Sequence, residues 1–327
     1  MQVGKLDTET LKQMLGKSIR YHRPEVMVRP KIGEDCAVVD FGDYACVLST
    51  DPITGASSEI GRLAVHIACN DVASNGVEPL GIMLTIMAPL GTTIEQIEAV
   101  MKEAGETAAG LQVEIIGGHT EITEAVNRMI ISATAIGRQK KEAVVISQGA
   151  KVGDLILMTK TAGLEGTAIL AHDREEQLRE VLEGPLLEGA KKMLEAISVV
   201  PEGRIAGQIG VSSMHDVTEG GLLGAVWELC EASEVGAVLY EEEIPVAEET
   251  KKICEYFQID PLRLISSGCM VMTVDKNKKD LLLKQLEEAK IKGTIIGEII
   301  ENGRFLVSKD RKIAIAPPES DELYKVV

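Results

Sequence analysis

Apolar and polar positions follow two different rhythms along the chain. Short apolar runs at 36–41 (CAVVDF) and 44–49 (YACVLS), separated by Gly42-Asp43, predict two strands joined by a tight turn. Residues 59–75 (EIGRLAVHIACNDVASN) instead place apolar side chains at helical spacing and end at Asn75-Gly76. This stretch therefore predicts a helix packed on the strands.

The same two rhythms continue to about residue 140. They predict a strand at 79–88, a helix from Thr93 to Gly110, and strands at 113–117 and 128–137. The resulting order, β-β-α-β-α-β-β, is typical of an α+β domain with helices layered on a mixed sheet.

The second half has a similar mixture of elements. A turn-rich stretch at 139–152 (QKKEAVVISQGAKV) predicts a domain boundary, which divides the chain into residues 1–145 and 146–327. The second half then predicts strands and helices around a glycine-broken helix start, TAGLEGTAILA at 161–171, and a loop, SSMHDVTEGG at 212–221. At 327 residues, two domains are the natural expectation.

Charge and composition narrow the classes of function. The formal net charge of −17 leaves no basic stripe to neutralise a nucleic-acid backbone, but it does not exclude a nucleotide held through metal ions and backbone N–H groups. No apolar run approaches the ~18 residues of a membrane span, and six scattered cysteines are typical of reduced core residues. We expect a soluble cytoplasmic protein without nucleic-acid or membrane partners.

Four stretches of the first half interrupt the apolar pattern with acidic, amide or imidazole groups. They are GEDCAVV (33–39), STDPITG (49–55), CNDVASNG (69–76) and GGHTEIT (117–123). Strand ends and connecting loops of such a domain converge on one edge, where several carboxylates would repel one another unless a cation lies among them. Asp and Asn oxygens without a Cys/His cluster favour Mg²⁺, so the pattern predicts a Mg-nucleotide site.

Each stretch taken alone also has a purely structural interpretation. Asp35 and Asp51 could begin a strand and a turn, although an antiparallel hairpin would return both to the same end. Asn70-Asp71 is the most informative pair, because it lies between apolar neighbours in a helix suited to burial, where a carboxylate is costly without a partner.

Two glycine-containing stretches in the second half, 161–171 and 214–228, place unpaired N–H groups at predicted helix starts. Such starts favour an anion, although tight packing of the glycines is an equally good explanation. The glycine spacing supports neither a Rossmann site nor a P-loop.

Taken together, the ordered motifs resemble the aminoimidazole ribonucleotide (AIR) synthase-like superfamily, over a stretch from Gly4 to about Val307. The segment from SSMHDVTEGG to GCMVMTV is most similar to the branch of the hydrogenase maturation factor HypE. The resemblance implies a PurM-like N-terminal mixed-sheet domain that dimerises through its sheet, a PurM-like C-terminal α/β domain, and ATP with Mg²⁺ in the cleft.

The resemblance also implies roles for particular residues. Asp71 would be catalytic, and Asp35, Asp51 and Asp71 would hold the metal. His119 departs from the resemblance, since several relatives carry Asp there; it is expected either to be catalytic, through proton transfer or a phosphate contact, or to make a structural hydrogen bond. Further nucleotide contacts would come from Asn70, Gly117, Gly118, Thr120, Asp216, Thr218, Gly220 and Gly221. The shared chemistry is transfer of the γ-phosphoryl group of ATP to an oxygen of a small substrate.

Two departures from the HypE pattern open a second hypothesis. The chain ends in ESDELYKVV without the terminal cysteine of HypE, and His119 stands where several relatives carry Asp. The alternative is a nucleotide-binding maturation or regulatory partner without turnover of its own. In either case a homodimer is expected, with Val38, Val47 and the strand PLGIMLTIMA supplying the sheet face.

Overall fold

The computed structural model describes residue 6 and residues 8–54, 59–318 and 320–327, and its first half forms one mixed sheet with helices. The helices are α1 (Thr8–Ser18), α2 (Ile60–Ser74) and α3 (Ile94–Gly110). The strands are β1 (Val26–Val28), β2 (Ala37–Phe41), β3 (Tyr44–Ile53), β4 (Pro79–Ala88), β5 (Glu114–Ile122) and β6 (Ile130–Lys140). Their order in the sheet is β1-β2-β3-β6-β4-β5.

The second half forms a seven-stranded sheet of its own. Its helices are α4 (Leu164–Asp173), α5 (Glu175–Leu178), α6 (Gly184–Lys192), α7 (Val200–Ile209), α8 (Gly221–Ser233), α9 (Glu248–Phe257) and α10 (Lys279–Glu288). Its strands are β7 (Leu155–Thr159), β8 (Ser213–Asp216), β9 (Gly236–Tyr240), β10 (Met270–Val274), β11 (Gly293–Ile300), β12 (Arg304–Val307) and β13 (Lys312–Ala314), in the order β13-β12-β9-β11-β7-β10-β8. The predicted α+β class with two layered α/β units is confirmed.

The predicted hairpin forms as expected. Strands β2 and β3 pair antiparallel from Ala37 opposite Leu48 to Phe41 opposite Tyr44, with Gly42 at a φ of 87° in the two-residue turn. Asp35 precedes this register and Asp51 follows it, so both lie at the end of the hairpin away from the turn.

Helix α2 is packed between the two halves of the molecule. It is apolar on nearly all sides, because the first sheet covers one side and α7 of the second half packs on the other. A Cβ at Gly203 on α7 would lie 2.1 Å from the carbonyl oxygen of Ala73, so only glycine permits this approach. The connection between the sheets, residues 141–154, contains the predicted boundary between 145 and 146.

Two predicted loops are strands in the structure. Residues 118–122, expected to follow a strand ending at 117, continue β5 along β4. Residues Ser213–Asp216, expected within a loop, form β8 beside β10. Neither segment alternates in hydrophobicity: all of β5 except Ile115 is exposed at the sheet edge, and all of β8 is buried. Without a half-buried face, the period-2 signal is absent.

The exposed face of the first sheet also differs from the prediction. Val38 and Val47 are fully buried in the core of their own chain, so they cannot supply a dimer surface. The apolar groups that stay exposed on β4 are Leu80 and Met83, with Ile116 and Ile122 on the neighbouring β5.

Candidate active site

A cleft between the two halves is lined by polar groups from both. Its lining comes from the end of β3, from α2, from the start of α4 and from the C-terminal segment of the chain. The residues that line it are Asp35, Asp51, Pro52, Ile53, Thr54, Leu63, Ile67, Asp71, Glu165, Ile169, Thr218, Glu219, Ile265, Ser267, Leu323 and Tyr324. No lysine or arginine is among these described lining residues, so an anionic ligand would need a cation for binding.

Asp71 lies at the centre of the acidic group. It is 2% exposed on α2, and its Oδ2 accepts a hydrogen bond of 2.5 Å from Ser49 Oγ on β3. Burial raises the pKa of Asp71 well above its usual value, and the nearby carboxylates of Asp216 and Asp51 raise it further. A bound cation would reverse this effect and allow the carboxylates to ionise together.

Asp35, His215 and Asp216 form a second group at the same end of the cleft. His215 Nδ1 lies 3.3 Å from Asp35 Oδ2 and 3.9 Å from Asp216 Oδ1, and His215 Nε2 lies 3.3 Å from Glu228 Oε2. Burial lowers the pKa of His215, but Asp35, Asp216 and Glu228 outweigh that effect and hold the pKa well above its usual value. The structure therefore brings Asp35, Asp51, Asp71 and Asp216 together.

Asn70, the neighbour of Asp71, faces the second half of the chain. Its Nδ2 donates to the carbonyl oxygen of Ile197 over 2.8 Å, and its Oδ1 accepts from Val199 N over 2.8 Å. The fully buried amide thus joins α2 to the segment before α7. This contact gives Asn70 a structural role, where the sequence led us to expect assistance at the phosphates.

Gly117, Gly118, His119 and Thr120 do not join the carboxylates within one chain. The register runs from Asp51 through Ala133 and Leu84 to Gly118, so three strand spacings, roughly 14 Å, separate the two ends. His119 pairs with Thr85, one position out of step with that row, so its side chain lies on the opposite face of the sheet.

The local surroundings of that segment explain its glycine and its exposure. A Cβ at Gly118 would lie 2.0 Å from the carbonyl oxygen of Leu84, so the close approach of β5 to β4 requires glycine. His119 has 65% of its side chain exposed, and its Nε2 contacts Glu121 Oε2 over 3.2 Å. In a single chain, neither residue reaches Asp71.

The two glycine-rich helix starts have protein partners at their N–H groups. At α8, Gly220 N donates to Asp321 Oδ2 over 2.7 Å, while Thr218 lines the cleft beside it. At α4, Gly163 N and Leu164 N donate to Ser266 Oγ over 2.7 and 3.3 Å. The sequence left two explanations open for these helix starts, a bound anion or tight packing of the glycines. At α4 the N–H groups donate to a hydroxyl of the chain, which supports packing. At α8 the anion at the helix start is a carboxylate of the same chain.

Comparisons with known proteins identify the family. The family model for the N-terminal domain of AIR synthase related proteins matches residues 33–139, and the model for their C-terminal domain matches residues 151–309. The chain belongs to the AIR synthase related family. A putative hydrogenase expression/formation protein of Methanocaldococcus jannaschii is 30% identical over 294 residues, which cover 87% of this chain and 84% of that protein.

Further relatives of this AIR synthase related protein carry the HypE name. The carbamoyl dehydratase HypE of Cupriavidus necator is 28% identical over 275 residues, 81% of this chain and 76% of that protein. Among solved structures, HypE in a HypE–HypF complex has a TM-score of 0.77 at 23% identity and covers 94% of this chain and 99% of its own. HypE in complex with ATP has a TM-score of 0.70 at 20% identity, covering 95% and 91%. These structures establish the shared fold.

Several groups that line the family's cleft in this chain have no clear signal in the sequence. Glu165, on the first turn of α4, is buried, and its Oε2 has no hydrogen-bond partner; burial raises its pKa to about 7. Tyr324 in the C-terminal segment donates to Glu219 Oε1 over 2.6 Å. Only Glu165 had a possible signal, as the single charge within the apolar stretch TAGLEGTAILA.

No described helix combines the length and the hydrophobicity that a membrane crossing requires.

Proposed function

We propose that this AIR synthase related protein is an enzyme that uses ATP with Mg²⁺ to phosphorylate an oxygen of a small substrate in the cleft. The observation that carries the proposal is Asp71, a buried carboxylate with Asp51 and Asp216 close enough to raise its pKa. Such a cluster is costly without a cation, and an all-oxygen donor set matches Mg²⁺.

Asp35, Asp51 and Asp71 would hold the metal, which when bound supplies charge neutralisation for the transferring phosphoryl group. The chain itself would position the metal ligands and provide an apolar surface that excludes water. Ser49 fixes one oxygen of Asp71 by its hydrogen bond, and Ile53, Leu63 and Leu323 line the cleft with apolar surface. Phosphoryl transfer depends mainly on such positioning and on electrostatic stabilisation.

The names of the relatives suggest a setting for this reaction. We propose that the chain acts in, or beside, hydrogenase maturation, as relatives named carbamoyl dehydratase HypE and hydrogenase expression/formation protein do. No cysteine is among the described residues that line the cleft. The proposed phosphoryl acceptor is a separate small molecule.

Binding of Mg-ATP by the wild type and by Asp71→Asn tests the proposal. Calorimetry should give saturable binding for the wild type and at least about 100-fold weaker binding for the variant. The neutral amide of the variant replaces the carboxylate of Asp71 and so removes an anionic metal ligand. Asp280→Asn, at an exposed position of α10, is the matched control and should bind as the wild type does. Equal binding by wild type and Asp71→Asn would overturn the assignment.

A second candidate is a nucleotide-binding partner without turnover. Its support is the α8 start, where Gly220 N donates to Asp321 and not towards the open cleft, and the distance of His119 from the carboxylates. Mg-ATP binding without release of ADP, across amide and carboxylate substrates, would favour this candidate over the enzyme.

We also propose a homodimer formed through the first sheet. Helices α2 and α3 cover one face, while Met83 and Ile116, with Leu80 and Ile122, leave apolar area exposed on and beside β4. A second copy would bury this area and the edge of β5. Light scattering at micromolar concentration should give a dimer, and Met83→Glu should shift it towards the monomer; a monomeric wild type would contradict the proposal.

A further inference from the structure

The end of the cleft next to α4 has an acidic lining of its own. This α4 end is lined by Glu165, Thr218, Glu219, Ser267 and Tyr324. Besides burial, the carboxylates of Asp321 and Glu219 raise the pKa of Glu165. The pKa of Asp71 is instead raised by burial and by Asp216 and Asp51. The two ends of the cleft therefore contain separate acidic groups.

Two buried oxygens at the α4 end lack hydrogen-bond partners. Glu165 is 5% exposed and Ser267 is 1% exposed, and both residues line the cleft. Neither Glu165 Oε2 nor Ser267 Oγ has a partner at hydrogen-bond geometry. Buried polar atoms in folded proteins are nearly always satisfied, so these two acceptors indicate a ligand that donates hydrogen bonds.

Asp321 shows how the chain satisfies a buried carboxylate in the same region. It accepts hydrogen bonds from Gly220 N over 2.7 Å, from Leu323 N over 2.8 Å and from Ile265 N over 3.1 Å. All three donors are backbone groups of the chain itself. Glu165 Oε2 receives no such donor from the described residues, so Glu165 and not Asp321 is the carboxylate available to a ligand.

Glu219 brings a second carboxylate to the α4 end. Its Oε1 accepts a hydrogen bond of 2.6 Å from the hydroxyl of Tyr324. Burial raises the pKa of Tyr324, and Glu219 raises it further, so the phenol stays protonated and holds the carboxylate in place. Because a carboxylate has about four acceptor positions, Glu219 can also accept from a ligand.

The spacing of these groups suits an organic cation better than a metal ion. Among the described residues, Asp35, His215 and Asp216 can place one ligand atom each within 4.8 Å of one another, but the acidic groups of the α4 end form no such set. A metal ion needs several ligand atoms at about 2.0–2.6 Å. An ammonium group contacts its acceptors at about 2.7–2.9 Å and can donate to three of them.

We propose that the α4 end of the cleft binds a protonated amine of the acceptor substrate. The ammonium N–H groups donate to Glu165 Oε2, to Ser267 Oγ and to the carboxylate of Glu219. Ile169 and Leu323, both buried, line the cleft beside them, and this apolar surface strengthens charge-assisted hydrogen bonds. The assignment of the amine to the phosphoryl acceptor rests on the proposed function, whereas amine binding itself needs no nucleotide.

The test is thermal unfolding of the full chain at pH 8, with excess Mg²⁺ and no nucleotide, during titration with propylammonium chloride. Glu165, with a pKa of about 7, is ionised at this pH, and an alkylamine resembles Lys, with a pKa of about 10.4, and is protonated. Wild type should show a saturable rise of the unfolding temperature, because the ligand binds the folded chain. Tetramethylammonium has the same charge but no N–H donor, and should bind at least about 10-fold more weakly.

Glu165→Gln is the decisive variant. It should weaken propylammonium binding at least about 10-fold, because a neutral amide replaces the carboxylate that accepts the charge-assisted hydrogen bond. The variant should fold, since it removes a buried charge. Glu288→Gln, at an exposed position of α10, is the matched control and should bind propylammonium as the wild type does.

A variant at the other end of the cleft separates this proposal from the proposed function. Asp71→Asn should keep propylammonium binding while it loses Mg-ATP, so the two proposals fail independently. Equal binding of tetramethylammonium and propylammonium, or equal propylammonium binding by wild type and Glu165→Gln, would overturn the amine site. Loss of propylammonium binding in Asp71→Asn but not in Glu165→Gln would place the amine among the metal ligands and would overturn it as well.

Discussion

The cleft end of α2 and the edge segment Gly117–Ile122 appear equally polar in the sequence but have opposite surroundings in the structure. On α2, Asp71 is buried and surrounded by carboxylates. On β5, His119 is exposed and contacts the side chain of Glu121. A polar group in water costs little, whereas a buried carboxylate must be balanced by a cation, a proton or donors. Burial therefore distinguishes the two motifs, and it makes α2 the stronger functional candidate.

The largest expected effect is on the free energy of unfolding, through the contact that Asn70 makes between the two halves. Asn70→Ala should lower the free energy of unfolding by about 4 kcal/mol, because it leaves both Ile197 O and Val199 N buried without a partner. Urea unfolding followed by circular dichroism measures the change. Asn127→Ala, at an exposed position, should change it by less than about 0.5 kcal/mol. A similar small change in both variants would mean that Asn70 does not hold the two halves together.

A second prediction uses pH to probe burial in the cleft. Burial raises the pKa of Glu165 in the folded chain to about 7 from 4.5, so ionisation destabilises the fold as pH rises through this window. Glu165→Gln cannot ionise. It should match the wild type below about pH 4.5 and exceed its stability by about 3 kcal/mol above pH 7.

Thermal unfolding of both proteins from pH 4 to pH 9 measures this difference. A stability gap that is constant with pH, or that closes as pH rises, would show that Glu165 is not held in a desolvated state. Substitution of an exposed glutamate, Glu288→Gln on α10, should give no such pH dependence.

The smallest expected effect is at the sheet edge. His119→Gln should change the affinity for Mg-ATP by less than about threefold, because the side chain lies on the other face of the sheet from Asp51. Calorimetry under the conditions used for Asp71→Asn measures it. A loss as large as that of Asp71→Asn would remove the contrast between the two regions and would mean that a second copy brings His119 to the cleft.

Much of the first half could be predicted from local pattern. The hairpin of β2 and β3, the strand at 79–88 and the helix α2 each have a periodic signal, and the hairpin register by itself returns Asp35 and Asp51 to one end. The turn residue Gly42 and the helix stop at Asn75-Gly76 act within a few residues of the chain, which is why sequence reasoning found them.

The features that sequence reasoning missed depend on contacts between distant residues. His215 meets Asp35 across 180 positions, and Asp321 reaches Gly220 from the C-terminal segment. Apolar and polar residues do not alternate along β5, because nearly all of this edge strand is exposed. They do not alternate along β8 either, because all of that strand is buried. Such features depend on tertiary packing, which leaves no periodic pattern in a single sequence.

We infer that the cleft carboxylates bind a nucleotide through a divalent cation, since no described lysine or arginine lines the cleft. The most direct measurement is ATP affinity of the wild type by calorimetry, with excess Mg²⁺ and then with a chelator in its place. We expect the affinity for ATP to fall at least about 100-fold without the cation. Equal ATP affinity in both conditions would contradict it.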